Sequence, residues 1–400
     1  MRRLLFVLTI ITLLPALAQG QAGGGANGGV LEGAKAAYDT LMTKTVRLTF
    51  EPIAPTAGLT AGVGLKPKDW RTESLITSVR ARASFSAHRY WAADGSVAWQ
   101  SRNDWRIEPY VRLRSMKRLN DFGLGNDSRV GDRADFAMLD RRAGAYAYKR
   151  PVGWLAIGGR GEFLAPRTSP GQSPDLPSVQ EQFAPAVLPG FRQDTNFMYA
   201  GAFVNLNYPY VRSERPPRGG DYMAGFAMFH DASGTGHSFT RLELEGAERF
   251  PLGSPDRRLT LHARLSSSVA SSGQSVPFYL MDTLGGADNL RGFKEEIIGG
   301  DENTATLRSV ESFRFRDKTT ALVQAEFRQR VYSQLFVSLF ADAGMVAPTI
   351  GTLSVANLHR GVGIGLGVYR SNALMIRAEF ALWGGEGHPH YLVPGRGLQF

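Results

Sequence analysis

The chain of 400 residues has no cysteine. No disulfide can staple its fold, no thiolate can bind a metal or attack a substrate, and no lipid can be attached at a cleavage-site cysteine. It also lacks an apolar run of the roughly 20 residues that a membrane-spanning helix needs. The one long apolar stretch, Leu4 to Leu17, is shorter than that and follows Arg2 and Arg3 directly. Nucleophile elbows of the form G-x-S-x-G, HExxH helices and phosphate-cradling P-loops are absent too, so no enzymatic activity, metal or cofactor is expected. The formal charge is +10 and the pI is 9.9. The arginines are spread along the chain and in turns such as Lys66-Pro67-Lys68 and Arg212 to Arg218, not gathered on one helix beside stacking aromatics, which argues against a nucleic-acid partner.

The basic start, the apolar stretch and the small-residue site Ala16-Leu17-Ala18 predict an export signal over 1–18, with the mature chain beginning near Gln19. A flexible Gly/Ala-rich segment follows over 19–44. Beyond it the dominant pattern is alternation with a period of two. Val79, Ala81, Ala83 and Phe85 alternate with Arg80, Arg82 and Ser84; Ile107, Val111 and Leu113 alternate with Glu108, Arg112 and Arg114; Leu261 and Ala263 flank His262. A soluble β-sandwich also alternates. Two features favour a membrane barrel spanning 45–400: a polar face carrying several arginines per strand suits a wet lumen, and the chain ends on the aromatic Phe400, the kind of residue by which outer-membrane barrels are addressed, although Pro394 and Arg396 make the final strand irregular.

Alternation and turn signals place strands near 45–55, 57–67, 75–91, 95–103, 105–118, 134–149, 152–165, 194–211, 221–231, 236–250, 258–271, 319–332, 334–346, 359–369, 373–383 and 394–400. The fold class is therefore all-β, a transmembrane antiparallel β-barrel. With the N-terminus on the periplasmic side, the long tracts 119–133, 166–193 and 272–318 fall outside and the tight turns inside.

The segment Leu284-Gly285-Gly286-Ala287-Asp288-Asn289-Leu290-Arg291-Gly292-Phe293 lies in the longest of these tracts, and Phe340-Ala341-Asp342-Ala343-Gly344 follows about fifty residues later. Together with Phe122-Gly123-Leu124-Gly125-Asn126-Asp127, these motifs resemble the BamA/TamA outer-membrane assembly superfamily, also called the bacterial surface antigen family. The resemblance implies a sixteen-stranded barrel in which the extracellular loop bearing Arg291, Gly292 and Phe293 folds back into the lumen. It implies that Arg291 meets Asp342 of the strand motif Phe340, Asp342, Gly344, and Glu326 one strand earlier. A lone LRGF can equally be a solvated loop. Asp288 and Asn289 are expected to shape the turn entering the tip.

The same resemblance implies assistance with protein or lipid assembly or translocation, with outer-membrane lipid and periplasmic proteins or unfolded cargo as partners of a monomeric barrel. The tract Gly23 to Lys44 is too short for the periplasmic POTRA modules that precede such barrels. The glycines Gly361, Gly363, Gly365 and Gly367 suggest a pliant wall near the seam. A passive pore or structural barrel is the alternative. A third is an outer-membrane hydrolase with His88, His230 or His262 on the outer wall; His388 and His390 could instead bind a metal. A basic lumen or rim would favour anions and lipid head groups.

Overall fold

The computed structural model describes residues 45–49, 53–54, 57, 60–101, 104–208, 219–254, 256–286, 289–293, 314–370, 373–386 and 390–394. The expected signal 1–18, the segment 19–44, Asp288, His388 and Phe400 lie outside them. From Val46 the chain is a meander: β1 (Val46–Thr49), β2 (Thr60–Leu65), β3 (Leu75–Ser86), β4 (Trp91–Ser101), β5 (Trp105–Asp121), β6 (Ala134–Val152), β7 (Leu155–Leu164), β8 (Phe197–Tyr208), β9 (Gly219–Asp231), β10 (Phe239–Pro251), β11 (Arg257–Ala270), β12 (Thr319–Arg330), β13 (Leu335–Ala347), β14 (His359–Arg370), β15 (Ala373–Trp383) and β16 (His390–Pro394). Each pairs antiparallel with its predecessor. The sheet is 18-stranded in total. Two of its members, Trp70–Arg71 and Arg167–Pro170, are short pieces lying beside β3 and β6, which leaves sixteen strand positions. Among the described residues no ladder joins β1 to β16.

Strand parity is set by the side chains. On β9, Tyr222, Phe226 and Met228 are exposed; on β13, Leu339 is exposed, whereas Phe336, Ser338, Phe340 and Asp342 are buried. The exposed set forms an apolar outer band on one strand after another, including Phe85, Val111, Ile157, Val204, Leu244, Leu261 and Val323. Such a band is stable only against lipid, since a water-facing apolar surface of this extent would drive association. No helix is long and apolar enough to cross a membrane; the strands do the crossing.

Several strand boundaries differ from the expectation, and two of these places bear on the pairing. The turn between β3 and β4 falls at 87–90, not at 92–94. Arg89 takes a left-handed φ of 63° and Ser86 N donates to Tyr90 O at 2.9 Å. That early turn sets Asp94 opposite Arg82, and the two form an ion pair at 2.9 Å. The last described strand, expected over 394–400, starts at His390, where Tyr391 to Val393 pair with Arg377 to Glu379.

The interior is not polar throughout. At the end carrying the long connections, the inward side chains Met116, Leu119, Phe136, Phe197, Phe229 and Phe239 pack with Phe278 to Met281 of the β11–β12 connection into one apolar core. Phe229 and Phe239 stack at 4.2 Å, and Phe278 meets Phe136 edge-on at 5.0 Å. Loops thus plug this end of the barrel. β5 and β6 support the plug with 17 and 19 residues, well beyond the roughly 9–11 that a tilted strand needs to cross a bilayer.

Candidate functional site

The connection 271–318 leaves β11, packs through the apolar core, and forms a short ladder of Asp282–Leu284 with Phe315–Asp317. Between these limbs the chain dips to Arg291. Gly285 and Gly286, with φ of 116° and 102°, turn it downward. Asn289 holds the turn, its side-chain amide donating to Thr283 O at 2.9 Å. Gln324 of β12 donates to Asn289 O at 2.5 Å.

Arg291 is buried, at 3% exposure. Its Nε and one terminal nitrogen donate to the two oxygens of Asp342, both at 2.7 Å. Its backbone N–H adds a third bond to Asp342 at 3.0 Å. The other terminal nitrogen donates to Glu326 at 2.9 Å and to Glu379 at 2.8 Å. The guanidinium carbon sits 3.8 Å from the centroid of the Phe340 ring, a cation–π contact in a desolvated setting. Burial opposes the charge on Arg291, but the bonds and fields of Asp342, Glu379 and Glu326 outweigh it and hold the guanidinium pKa well above its ordinary value. A bidentate, fully bonded arginine of this kind is a fixed anchor.

The cluster is charge-balanced. Arg328 pairs with Glu326, and Arg377 lies 3.2 Å from Glu379, so three arginines face three carboxylates. Glu379, on β15, is the member that sequence reasoning missed. Its signal was available: Arg377 and Glu379 repeat, two positions apart, the pattern of Glu326 and Arg328.

The guanidinium reaches β12, β13 and β15 but takes nothing from β14, because there the lumenal positions are glycines. Phe336, Ser338, Phe340 and Asp342 stand directly opposite Gly367, Gly365, Gly363 and Gly361. A Cβ at Gly363 would collide with the Phe340 ring, one at Gly367 with the Phe336 ring, and one at Gly361 with the carbonyl of Arg291. The glycines form a trough that receives rings and loop backbone, so the expected pliant wall gives way to a packed one. Gly292 has a φ of 103°, and a Cβ there would come within 3.2–3.3 Å of Gly361 and Gly384. Phe293 enters a small apolar cluster with Leu284, Leu290, Phe315, Leu322 and Val346, and Phe315 stacks on His359 at 4.0 Å. Gly344 leaves room for Leu284, which a Cβ would approach to 3.1 Å.

The Phe122-to-Asp127 turn belongs to the same assembly. Asn126 accepts from Val346 N at 3.1 Å and donates to Asn357 O at 2.7 Å. Gly125 N donates to Arg316 O at 2.8 Å, and Arg316 pairs with Asp121 at 2.9 Å. The turn therefore crosses the barrel mouth from β5 to β13 and clamps the returning limb of the arginine loop.

Of the histidines considered for catalysis, His262 faces the lumen, not the outer wall, between Glu245 at 2.9 Å and Gln324 at 2.7 Å. Its position on the lumenal parity of β11 follows from exposed Leu261 beside it. No group of His, Cys, Asp and Glu among the described residues could hold a metal ion.

A family model described as the Omp85 superfamily domain matches residues 190–388, a span that contains Arg291 and all three of its carboxylate partners. Among solved structures, the chain is similar to BamA from Haemophilus ducreyi lacking POTRA domains 1–3, with a TM-score of 0.58 and 12% identity over 88% of this chain and 69% of that one. It is also similar to CdiB from Escherichia coli, with a TM-score of 0.50 and 12% identity over 93% and 70%. At this identity the likeness is one of fold. No curated protein matches the sequence. Residues 190–388 form an Omp85 superfamily domain, and the chain is an outer-membrane β-barrel.

Proposed function

We propose that this barrel assists the insertion or translocation of protein at the outer membrane, with the Arg291 loop as a latch that fixes the strands next to its seam. The observation carrying this reading is where the latch holds. Arg291 bonds to β12, β13 and β15, and Gly292 and Phe293 lie against Gly384 and Gly385, just before β16. The anchor thus sits on the C-terminal flank of the sheet, beside the edge that no described ladder closes. A pore or purely structural barrel needs no such fixed point at that flank, and the plugged mouth argues against free passage. By the asymmetry usual for such barrels, the plugged end with long connections faces outward. On this reading the partners are outer-membrane lipid and protein cargo, met by a single barrel.

The test is deletion of the gene followed by profiling of outer-membrane and secreted proteins, with complementation by the wild type and by Arg291→Ala. Depletion of several other barrels or exported proteins, restored by the wild type and not by the variant, supports the reading. An unchanged profile overturns it in favour of a pore or structural barrel.

A further inference from the structure

Beneath the plug, the lumen holds a cavity of about 790 Å³ lined by arginines and tyrosines of β3 to β8, among them Arg82, Arg112, Tyr110, Tyr146 and Arg160. Most of its charges are neutralised locally. Arg106 pairs with Glu108, and Arg160 with Glu162. At the upper end of the same wall the balance fails.

Two cross-strand rows meet there. In the lower, Arg82 stands opposite Asp94, Asp94 opposite Arg112, and Arg112 opposite Arg142. In the upper, Ser84 stands opposite Ala92, Ala92 opposite Arg114, and Arg114 opposite Asp140. Four arginines thus face two aspartates, with Glu162 of β7, shared with Arg160, 3.5 Å from Arg142 as the one further carboxylate, and Arg112 and Arg142 are direct neighbours across the ladder, a like-charge pairing that is destabilising by itself.

Arg114 is the decisive member. It is 8% exposed. Among the described residues it is in no ion pair, and its Nε has no hydrogen-bond partner. Its natural partner is taken: Asp140 gives both oxygens to Arg142 Nε at 2.8 Å. The next carboxylate, Glu162, is bound by Arg160 and Tyr110 and lies 3.5 Å from Arg142. Ser84 is also buried in the upper row, and its hydroxyl is unpartnered. A buried guanidinium that shares its nearest carboxylate with Arg142, forms no ion pair of its own and leaves its Nε unbonded is costly, and an oxyanion satisfies both needs at once through the planar donor fork of arginine.

We propose that the β3–β6 wall of the lumen is an oxyanion site in which Arg114, Arg112 and Arg82 bind a phosphate group, with the Ser84 hydroxyl as a further donor. The cavity below has room for an organic remainder, so the phosphate can arrive as free phosphate, as a soluble phosphoester or as a lipid headgroup.

Isothermal titration of the purified full-length barrel in neutral detergent tests this, with sodium phosphate set against sodium chloride at equal ionic strength. The expected result is saturable phosphate binding that weakens at least tenfold in Arg114→Gln and in Arg112→Gln and is unchanged in Arg330→Gln, the last residue of β12 and remote from the wall. Arg112 is only half-buried, so its variant keeps the test valid if Arg114→Gln does not fold. Competition by glucose 6-phosphate indicates a soluble phosphoester. Competition by phosphatidylglycerol micelles and not by glucose 6-phosphate indicates a lipid headgroup, and by neither, free phosphate. Absence of saturable binding, or equal affinity in folded Arg114→Gln and Arg112→Gln, overturns the proposal.

Discussion

Asp342 receives three hydrogen bonds from a single residue, Arg291, two from the guanidinium and one from the backbone N–H. The other two carboxylates of the cluster each keep a second arginine, Glu326 through Arg328 and Glu379 through Arg377. Among the described residues Asp342 has no other ion pair. Arg291→Ala therefore strands one buried carboxylate, not all three, and removing one partner of a buried pair costs about 3–5 kcal/mol. The barrel should lose its folded form at a lower temperature on heat-modifiability gels. Arg291→Lys should fall between, because a lysine carries the charge but not the bidentate fork.

The same asymmetry ranks the carboxylates. Asp342→Asn should destabilise the barrel more than Glu326→Gln or Glu379→Gln, since it weakens the fork and the backbone bond together. Equal losses in all three variants, measured by the same gel midpoint, would show that the cluster behaves as a diffuse charge pool and not as an anchor centred on Asp342.

Much of this site was legible in the sequence because it rests on parity and on short motifs. Arg291, Glu326 and Asp342 fall on the correct faces once the period of two is followed along β12 and β13. Glu379 was harder to see: its spacing from Arg377 repeats that of Glu326 and Arg328, but its partner lies 88 positions away, and nothing local ties that pair to the arginine loop. The glycines of β14 were visible, but their purpose was not, because the rings that fill the trough come from β13. The apolar plug escaped for a related reason. Its inward residues, such as Phe136 and Phe229, continue strands whose lower halves alternate polar and apolar, and only the returning loop reveals what they pack against. The break between β3 and β4 was misplaced because the pairing of Arg82 with Asp94, which decides the register, is a tertiary fact.

The trough yields a prediction in the opposite direction, by adding atoms. At Gly363 a methyl group would occupy the space of the Phe340 ring, the ring on which Arg291 lies. Overpacking of this kind typically costs about 1–3 kcal/mol. Gly363→Ala should lower the gel midpoint, and Phe340→Leu should recover in the double variant only the part of that loss due to the ring, because the Phe380 carbonyl also lies against the added methyl and stays in place. If the two single losses simply add, the ring and the glycine are not in contact.

Asn126 links the plug to the far wall through Val346 and Asn357, and the neighbouring Ser128 hydroxyl accepts from Arg314 at 2.7 Å. Asn126→Ala removes both side-chain bonds of the clamp, each worth about 0.5–1.5 kcal/mol. The turn should open locally without unfolding the barrel. Limited trypsinolysis of intact cells should then cut at Arg129 and Arg133, which are exposed, faster than in the wild type, while the heat-modifiability midpoint stays within a few degrees. Unchanged cleavage would mean that the apolar core alone holds the turn.

Neighbouring residues on one strand provide the sharpest test of the membrane assignment. Val204 is exposed on the apolar outer band of β8, while the adjacent Asn205 lines the lumenal cavity. Arginine on a lipid face costs about 2–4 kcal/mol at the bilayer midplane, whereas lumenal substitution mainly tunes selectivity. Val204→Arg should lower the urea midpoint for unfolding from lipid vesicles substantially, and Asn205→Arg should shift it little while making the lumen more basic. A water-soluble sheet would invert this order, because Val204 would then face solvent, where an arginine is nearly neutral, and Asn205 the crowded interior. The sign of the difference between two adjacent positions therefore reports which solvent the outer face meets, independently of how stable the barrel is overall.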